Sequence, residues 1–257
     1  MSDLSELTNP FNGARVIHLP EVDSTMAEAR RLIAEKGEAM DGVVIVADHQ
    51  RAGVGRAPGR TWVDEAGESL LFTLLLADRN HGDLGRDALR ISLSSALALA
   101  EAIELIAGVA VAIKWPNDLL LRGRKLSGIL AERGERFIRL GIGVNLNGTT
   151  VARGLGTAAT SLRLETGRRY RRRELLEAIL KRLHLRLLAG EIDVEAINRR
   201  LAWRGRVVEL RLREAEGGES VRRGVLAGLD GAGNLTLRRK AHLETVDTGR
   251  LISVSPG

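Results

Sequence analysis

Two short segments hold the residues with chemistry to offer: a glycine- and arginine-rich loop, Gln50-Arg-Ala-Gly-Val-Gly-Arg-Ala-Pro-Gly-Arg60, and the pentad Lys114-Trp-Pro-Asn-Asp118, followed by Lys125 and Gly128. The loop comes after the apolar run Val43 to Ala47, so its glycines let backbone N–H groups approach an anion where a strand has just ended. Arg51, Arg56 and Arg60 add guanidinium groups able to clamp a carboxylate and a phosphate together. Only five lysines occur among the 39 basic residues, and two of them, Lys114 and Lys125, fall in the second segment. A strand ending in a turn accounts for Trp115, Asn117 and Asp118, but it gives no reason for the two lysines or for a close-approach glycine at 128. The loop's glycines at 53, 55 and 59 do not form G-x-G-x-x-G, so neither dinucleotide nor P-loop chemistry is indicated.

Positioning such residues takes a folded scaffold, and 257 residues with 44% hydrophobic content supply one large unit with a small appendage. The absence of cysteine excludes disulfides, thiolate metal sites and a cysteine nucleophile. Met1 to Pro10 is polar and acidic, unlike a signal peptide, and no apolar run reaches the length of a membrane span, so a cytoplasmic location with no membrane partner is expected. The net charge of +6 is uneven: residues 1–150 carry 17 Lys and Arg against 20 Asp and Glu, and residues 151–257 carry 22 against 13. The basic excess, centred on Arg168 to Arg173, lies away from both informative segments. With seven aromatic residues in the chain there is little material for a base-stacking platform, so a solvated face is favoured over a nucleic-acid groove.

Periodicity predicts a helix over 23–36, with Thr25-Met-Ala-Glu28 as a capping box and Gly37 as its stop. Strands are expected at 43–47, 70–76 and 109–113, with a long Ala/Leu-rich helix over 87–107. A hairpin over 119–130 turns at Arg122-Gly-Arg124. The next strand, 137–145, is interrupted by glycines, a sign that something approaches it closely. Helices at 172–189 and 193–202 precede a change to short β segments at 206–213, 221–229 and 235–238. The expected architecture is α+β: a mixed-sheet catalytic domain with flanking helices over 1–202, and a small C-terminal β-barrel over 203–257.

Together these residues resemble the biotin-protein ligase family. The similarity runs through Val22-Asp-Ser-Thr25, Gln50 to Arg56, Gly59-Arg-Thr-Trp62, Lys114 to Asp118, Lys125-Leu-Ser-Gly-Ile-Leu130 with Glu132, and Gly141-Ile-Gly-Val-Asn-Leu-Asn147. The C-terminal segment is similar to the SH3-like domain of these ligases. With only about twenty residues before the first helix, the chain resembles a monofunctional member without a winged helix, and no DNA partner is expected.

The resemblance implies ATP-dependent activation of biotin to biotinyl-5′-AMP, with Mg²⁺ on the phosphates, and transfer of biotin to a lysine of a biotin carboxyl carrier protein. It implies catalytic roles for Lys125, Arg56 and Asp118. Biotin contacts are implied for Ser24, Thr25, Met26, Gln50, Gly53, Val54, Gly55, Arg56, Lys125 and Gly128, and nucleotide contacts for Arg56, Arg60, Trp62, Lys114, Asn117 and Asn145. Three departures stand out: Val54 where arginine is common, Met26 where asparagine often follows the Ser-Thr pair, and one extra residue between Arg56 and Trp62. No histidine lies in a paired motif, and His49 reads as a packing residue. Metal ligands cannot be named from the sequence, and a homodimer is left open. The rival readings are lipoate attachment and, from another class, a non-enzymatic nucleic-acid-binding protein.

Overall fold

In the computed structural model the described residues are 4, 7–56, 59, 61–78, 84–134, 136–150, 158–213, 218–240 and 242–253. Strand β1 (Val16–Val22) leads into α1 (Thr25–Lys36) and β2 (Val44–Gln50). The short β3 (Gly53–Val54) and β4 (Thr61–Trp62) precede β5 (Ser69–Ala77) and the long α2 (Leu84–Ala107). Next come β6 (Ala112–Lys114), β7 (Asp118–Leu121), β8 (Arg124–Arg133) and β9 (Phe137–Asn145). Helices α3 (Leu162–Thr166), α4 (Arg172–Leu188) and α5 (Val194–Arg200) follow. The chain ends in β10 (Val207–Arg213), β11 (Glu219–Leu229), β12 (Leu235–Arg239), β13 (His242–Val246) and β14 (Arg250–Ser253).

Seven strands form one mixed sheet in the order β1-β2-β5-β9-β8-β7-β6, in which only β1 and β2 run parallel. Alternation along each strand sends side chains to opposite faces. Val44, Val46, Phe72 and Leu74 join the core built with α2 and α4, while Ile45 and Leu75 pack with Ala29 and Leu32 of α1. With helices on both faces, β5 is buried from Ser69 to Leu75, which explains why its sequence is apolar on both sides of Thr73 rather than alternating. Burying each large aliphatic side chain here contributes about 1.5–3 kcal/mol.

The C-terminal strands form a separate antiparallel sheet, β13-β12-β11-β10-β14. Among the described residues its two edges are not paired with each other, so a closed barrel is not observed. This sheet is joined to the rest through the buried Trp115, whose Nε1 donates to the Gly233 carbonyl at 3.1 Å. Asn198 of α5 adds a second tie, accepting from the Leu229 amide at 2.9 Å.

The expected capping box is displaced by one residue. The N-cap is Ser24, whose Oγ accepts from the Met26 amide. Thr25 has moved inside the helix because Gln50 Oε1 takes its amide at 2.8 Å, and Glu28 turns to Arg31 instead. Helix α2 extends upstream of 87, and α5 stops at Arg200 rather than 202. The strand expected at 109–113 is shifted to 112–114.

Candidate functional site

The loop after β2 folds back on itself, with Gly53 opposite Trp62 and Val54 opposite Thr61. A β-carbon at 53 would stand 2.7 Å from the Trp62 carbonyl, so the two arms can lie this close only because residue 53 has no side chain. The hairpin delivers the Trp62 indole onto the glycines of β8 and β9. A β-carbon at Gly143 would sit 2.8 Å from Trp62 Cε2 and Cζ2, and one at Gly128 would sit 3.3 Å from Cζ3. Met26 covers Gly141 in the same way, its Sδ 2.8 Å from the β-carbon position. The glycine interruptions in β9 therefore mark the close approach of side chains.

Between these glycines, the start of α1 and the loop lies a cavity of about 60 Å³. Ser24, Thr25, Met26 and Gln50 wall one side, and Val54, Gly55, Arg56 and Trp62 come from the loop. The sheet contributes Asn117, Lys125, Gly128, Gly141 and Gly143. Small-molecule sites usually span about 300–1,000 Å³, so part of this wall must move to admit an organic acid. The glycine-bearing loop lies outside the seven-stranded sheet, in a two-stranded hairpin of its own.

Polar groups at the α1 end are fixed in orientation. Gln50 Oε1 accepts from the Thr25 amide and from Thr25 Oγ1 (3.1 Å), which assigns the amide and leaves Nε2 without a partner among the described residues. Thr25 Oγ1 also accepts from Thr73 Oγ1 at 2.8 Å, so its one proton is committed to Gln50 and only one lone pair stays open. Ser24 Oγ accepts one bond and keeps its own proton to donate.

Lys125 reaches the cavity because of an irregularity in β8. Leu119 pairs with Ser127 and Leu120 with Lys125, so Leu126 has no opposite number. In a regular strand residues 125 and 128 would point to opposite faces. The extra residue brings them to the same one, and Lys125 Nζ lies 3.2 Å from the Gly128 β-carbon position. Nζ pairs with Asp118 Oδ1 at 2.6 Å and stands 5.9 Å from the Trp62 ring centre, within cation–π range.

Arg56 Nη2 donates to the Gly249 carbonyl at 2.7 Å, tying the loop to the turn between β13 and β14. Its side chain is exposed, yet desolvation by the surrounding protein pushes its pKa below the ordinary arginine value, and the carboxylate of Asp118 works against that shift. The contact spans 193 positions of sequence, and no local signal announces it.

The other expected residues divide. Asn117 lines the cavity, with Nδ2 held by the Ile129 carbonyl at 2.7 Å. Asp118 enters through Lys125, and Gly53 acts behind the wall. Lys114 is not brought to the cavity: it is buried, its Nζ 5.5 Å from the Trp203 ring centre. Asn145 is also outside the wall, its Nδ2 donating to the Thr160 carbonyl at 3.0 Å. Arg60 lies outside the described residues. Two histidines that looked unpaired have partners: His18 with Asp48 at 2.8 Å and His49 with the fully buried Asp64 at 3.0 Å. Neither is among the residues that line the cavity. Gly141, Gly143 and the Met26 side chain join the site, the glycines having been visible in the sequence only as interruptions.

Among the described residues no group of three or more His, Asp or Glu side chains is placed to hold a metal ion. Much of the basic excess is neutralised within the protein. Arg169 pairs with Glu68, Arg172 with Asp48, Arg186 with Glu101, Arg200 with Glu104, and Arg222 with Glu244. No helix among the described residues is long and apolar enough to cross a membrane.

The profile of the biotin/lipoate A/B protein ligase family matches residues 20–147. A biotin--[acetyl-CoA-carboxylase] ligase of Paracoccus denitrificans is 37% identical over 242 residues, which are 89% of this chain and 96% of that protein. One from Mycobacterium tuberculosis is 31% identical, covering 85% and 82%. The biotin protein ligase of Aquifex aeolicus in complex with biotin and ATP superposes with a TM-score of 0.79 at 30% identity, covering 92% of this chain and 97% of that one.

Proposed function

Because the chain belongs to the biotin/lipoate A/B protein ligase family, we propose that it works as a biotin-protein ligase through the cavity under the glycine-rich loop. It activates biotin with ATP to biotinyl-5′-AMP and transfers the biotinyl group to a lysine of a biotin carboxyl carrier protein. The observation that carries the assignment of the site is convergence. Ser24 and Thr25, then Gln50 and Arg56, then Lys125 come from three separate stretches of sequence and line one small cavity.

In this reading Gln50 Nε2 and the Ser24 hydroxyl donate to the ureido oxygen of biotin. Thr25, whose hydroxyl donates to Gln50 and accepts from Thr73, holds Gln50 in position. Met26 closes the cavity as an apolar wall over Gly141. A carboxylate oxygen of biotin attacks the α-phosphorus of ATP, a P–O bond to the β-phosphate breaks, and pyrophosphate leaves. Two anions must meet for this, and Lys125 and Arg56 supply the cations that lower that barrier. Asp118 keeps the Lys125 ammonium aimed into the cavity. The amine of the carrier lysine then attacks the acyl carbon. An amide forms, the bond to AMP breaks, and the proton lost by the amine goes to solvent.

Mg²⁺ enters as Mg-ATP, since it is commonly held by phosphates and water with few protein ligands. Trp62 and Asn117 are the nucleotide-side contacts best supported by position. Residues 1–202 are taken as the catalytic domain and 203–257 as an SH3-like domain, a reading supported by five short antiparallel strands. The extensive internal pairing of arginines supports the absence of a DNA role. Competition between biotin and lipoate for adenylate formation tests the acid: preference for biotin is expected, and equal or better use of lipoate would overturn the assignment.

A further inference from the structure

A second cavity, of about 420 Å³, adjoins the first, and its walls beyond Arg56 and Asn117 have no part in the chemistry derived so far. Arg56 and Asn117 line both, so the two spaces meet at those side chains. Its remaining walls come from α2 (Ala88, Leu89, Ser92), from Pro116 and Ala131, and from the C-terminal sheet (Asn234, Asp247, Thr248).

The polar groups around it select for a cation. Asp247 is exposed and makes no hydrogen bond or ion pair among the described residues. Asn234 spends its Nδ2 on Asp230 Oδ2 at 3.0 Å, which leaves its oxygen as an acceptor. Asn117 spends its Nδ2 on the Ile129 carbonyl, which likewise leaves its oxygen open. Among the described residues the one cation on the wall, Arg56, already donates to Gly249. A phosphate or pyrophosphate would meet the Asp247 carboxylate and two amide oxygens here, with only the Ser92 and Thr248 hydroxyls and the already engaged Arg56 to donate among the described residues. An ammonium on an aliphatic stem would find acceptors for its N–H groups and Leu89, Pro116 and Ala131 for its methylenes.

The turn that carries Asp247 is held in place. A β-carbon at Gly249 would stand 2.9 Å from both Leu210 Cδ1 and Leu212 Cδ2, so the turn is seated directly on β10. Arg56 ties the same turn to the loop over the first cavity.

We propose that this second cavity is the approach of the acceptor lysine, and that Asp247, on the C-terminal sheet, is the residue that attracts the lysine of the carrier protein toward the activated acid. The inference rests on the ligase reading above. Asp247 acts by charge before the amine reaches the acyl carbon and takes no part in bond making. On arrival the ammonium sheds its proton to solvent, and the neutral amine attacks.

The experiment separates the two half-reactions in the full-length protein. Adenylate formation is followed by biotin-dependent pyrophosphate release without carrier. Transfer is followed from preformed adenylate to the carrier domain and, separately, to hydroxylamine, an uncharged nucleophile. Asp247→Lys should raise the carrier KM by about tenfold or more, and Asp247→Asn should raise it less. Adenylate formation, the KM for ATP and trapping by hydroxylamine should stay unchanged, and the carrier penalty should shrink as salt is raised. A carrier KM unaffected by charge reversal would overturn the proposal. So would a lowered KM for ATP, which would mean a phosphate occupant, or a parallel loss of adenylate formation. A wild-type protein that makes no adenylate would instead sink the ligase reading, and this proposal with it.

Discussion

Gly143→Ala is the perturbation with the most predictable geometry. The added methyl would stand 2.8 Å from Trp62 Cε2 and Cζ2 and 3.1 Å from Cδ2, where carbon pairs prefer about 3.5–4.0 Å. The indole must therefore retreat by roughly 1 Å. On the β8 side the ring lies directly over Gly128, with Cζ3 3.3 Å from where a β-carbon would stand. Overpacking of this kind costs about 1–3 kcal/mol. Trp62 sits on a two-stranded hairpin outside the sheet core, so the ring yields before the sheet does and the strain appears as a displaced cavity wall. Placed on the reaction, that energy corresponds to a loss of about 5- to 150-fold in kcat/KM for adenylate formation, with a melting temperature lowered by only about 2–4 °C. The assay is biotin-dependent pyrophosphate release beside thermal denaturation. Gly218→Ala, where a β-carbon meets nothing within 4 Å, serves as the control. Full activity in Gly143→Ala would show that the Trp62 contact has no bearing on the site, and a collapse in stability would place it in the core.

Lys125→Ala removes the cation paired with Asp118 at 2.6 Å and should cut adenylate formation by about 10²–10³-fold while the fold survives; normal specific activity of the folded fraction would refute the role. Amide exchange across Gln50 to Arg56 should slow at saturating biotin, because a wall that must open around a 60 Å³ cavity is ordered by the bound acid, and unchanged exchange would refute the gate. Burial raises the pKa of Asp48, but hydrogen bonds from His18 and Arg172 outweigh it and hold the carboxyl below its ordinary value. A depressed folded-state pKa gives stability that is present above the unfolded value and is lost as pH falls through the folded one, progressively below about pH 5. Urea midpoints of Asp48→Asn should therefore fall less than wild type between neutral and acid pH, and an identical slope would contradict the pairing.

Where one strand shows its own pattern, the sequence was enough. Phe137–Asn145 was visible because its apolar residues and glycines alternate, and the hairpin after Asp118 was visible from its leucines and its turn. Strand β1 escaped because Pro20 and Glu21 interrupt it and it lies at the sheet edge, where one face is wet and the period is weak. The strands His242–Val246 and Arg250–Ser253 are polar edges and escaped for the same reason. At the site, the residue types were legible and their geometry was not. The unpaired Leu126 that turns Lys125 inward is a matter of register, and the cap moved from Thr25 to Ser24 because Gln50, twenty-five positions away, takes the Thr25 amide. Lys114 lies near Trp203 and not on the cavity wall, since sequence cannot say which way a strand residue faces.

The central claim is that one chain makes an acyl-adenylate of biotin and hands the acyl group to a lysine. Mass spectrometry of a biotin carboxyl carrier domain, incubated with the protein, biotin and Mg-ATP, tests it most directly. A single biotinyl adduct confined to one lysine, dependent on ATP and lost with Lys125→Ala, is the predicted result. An unmodified carrier in the presence of folded wild-type protein, or an adduct that forms equally well without ATP, would contradict the account.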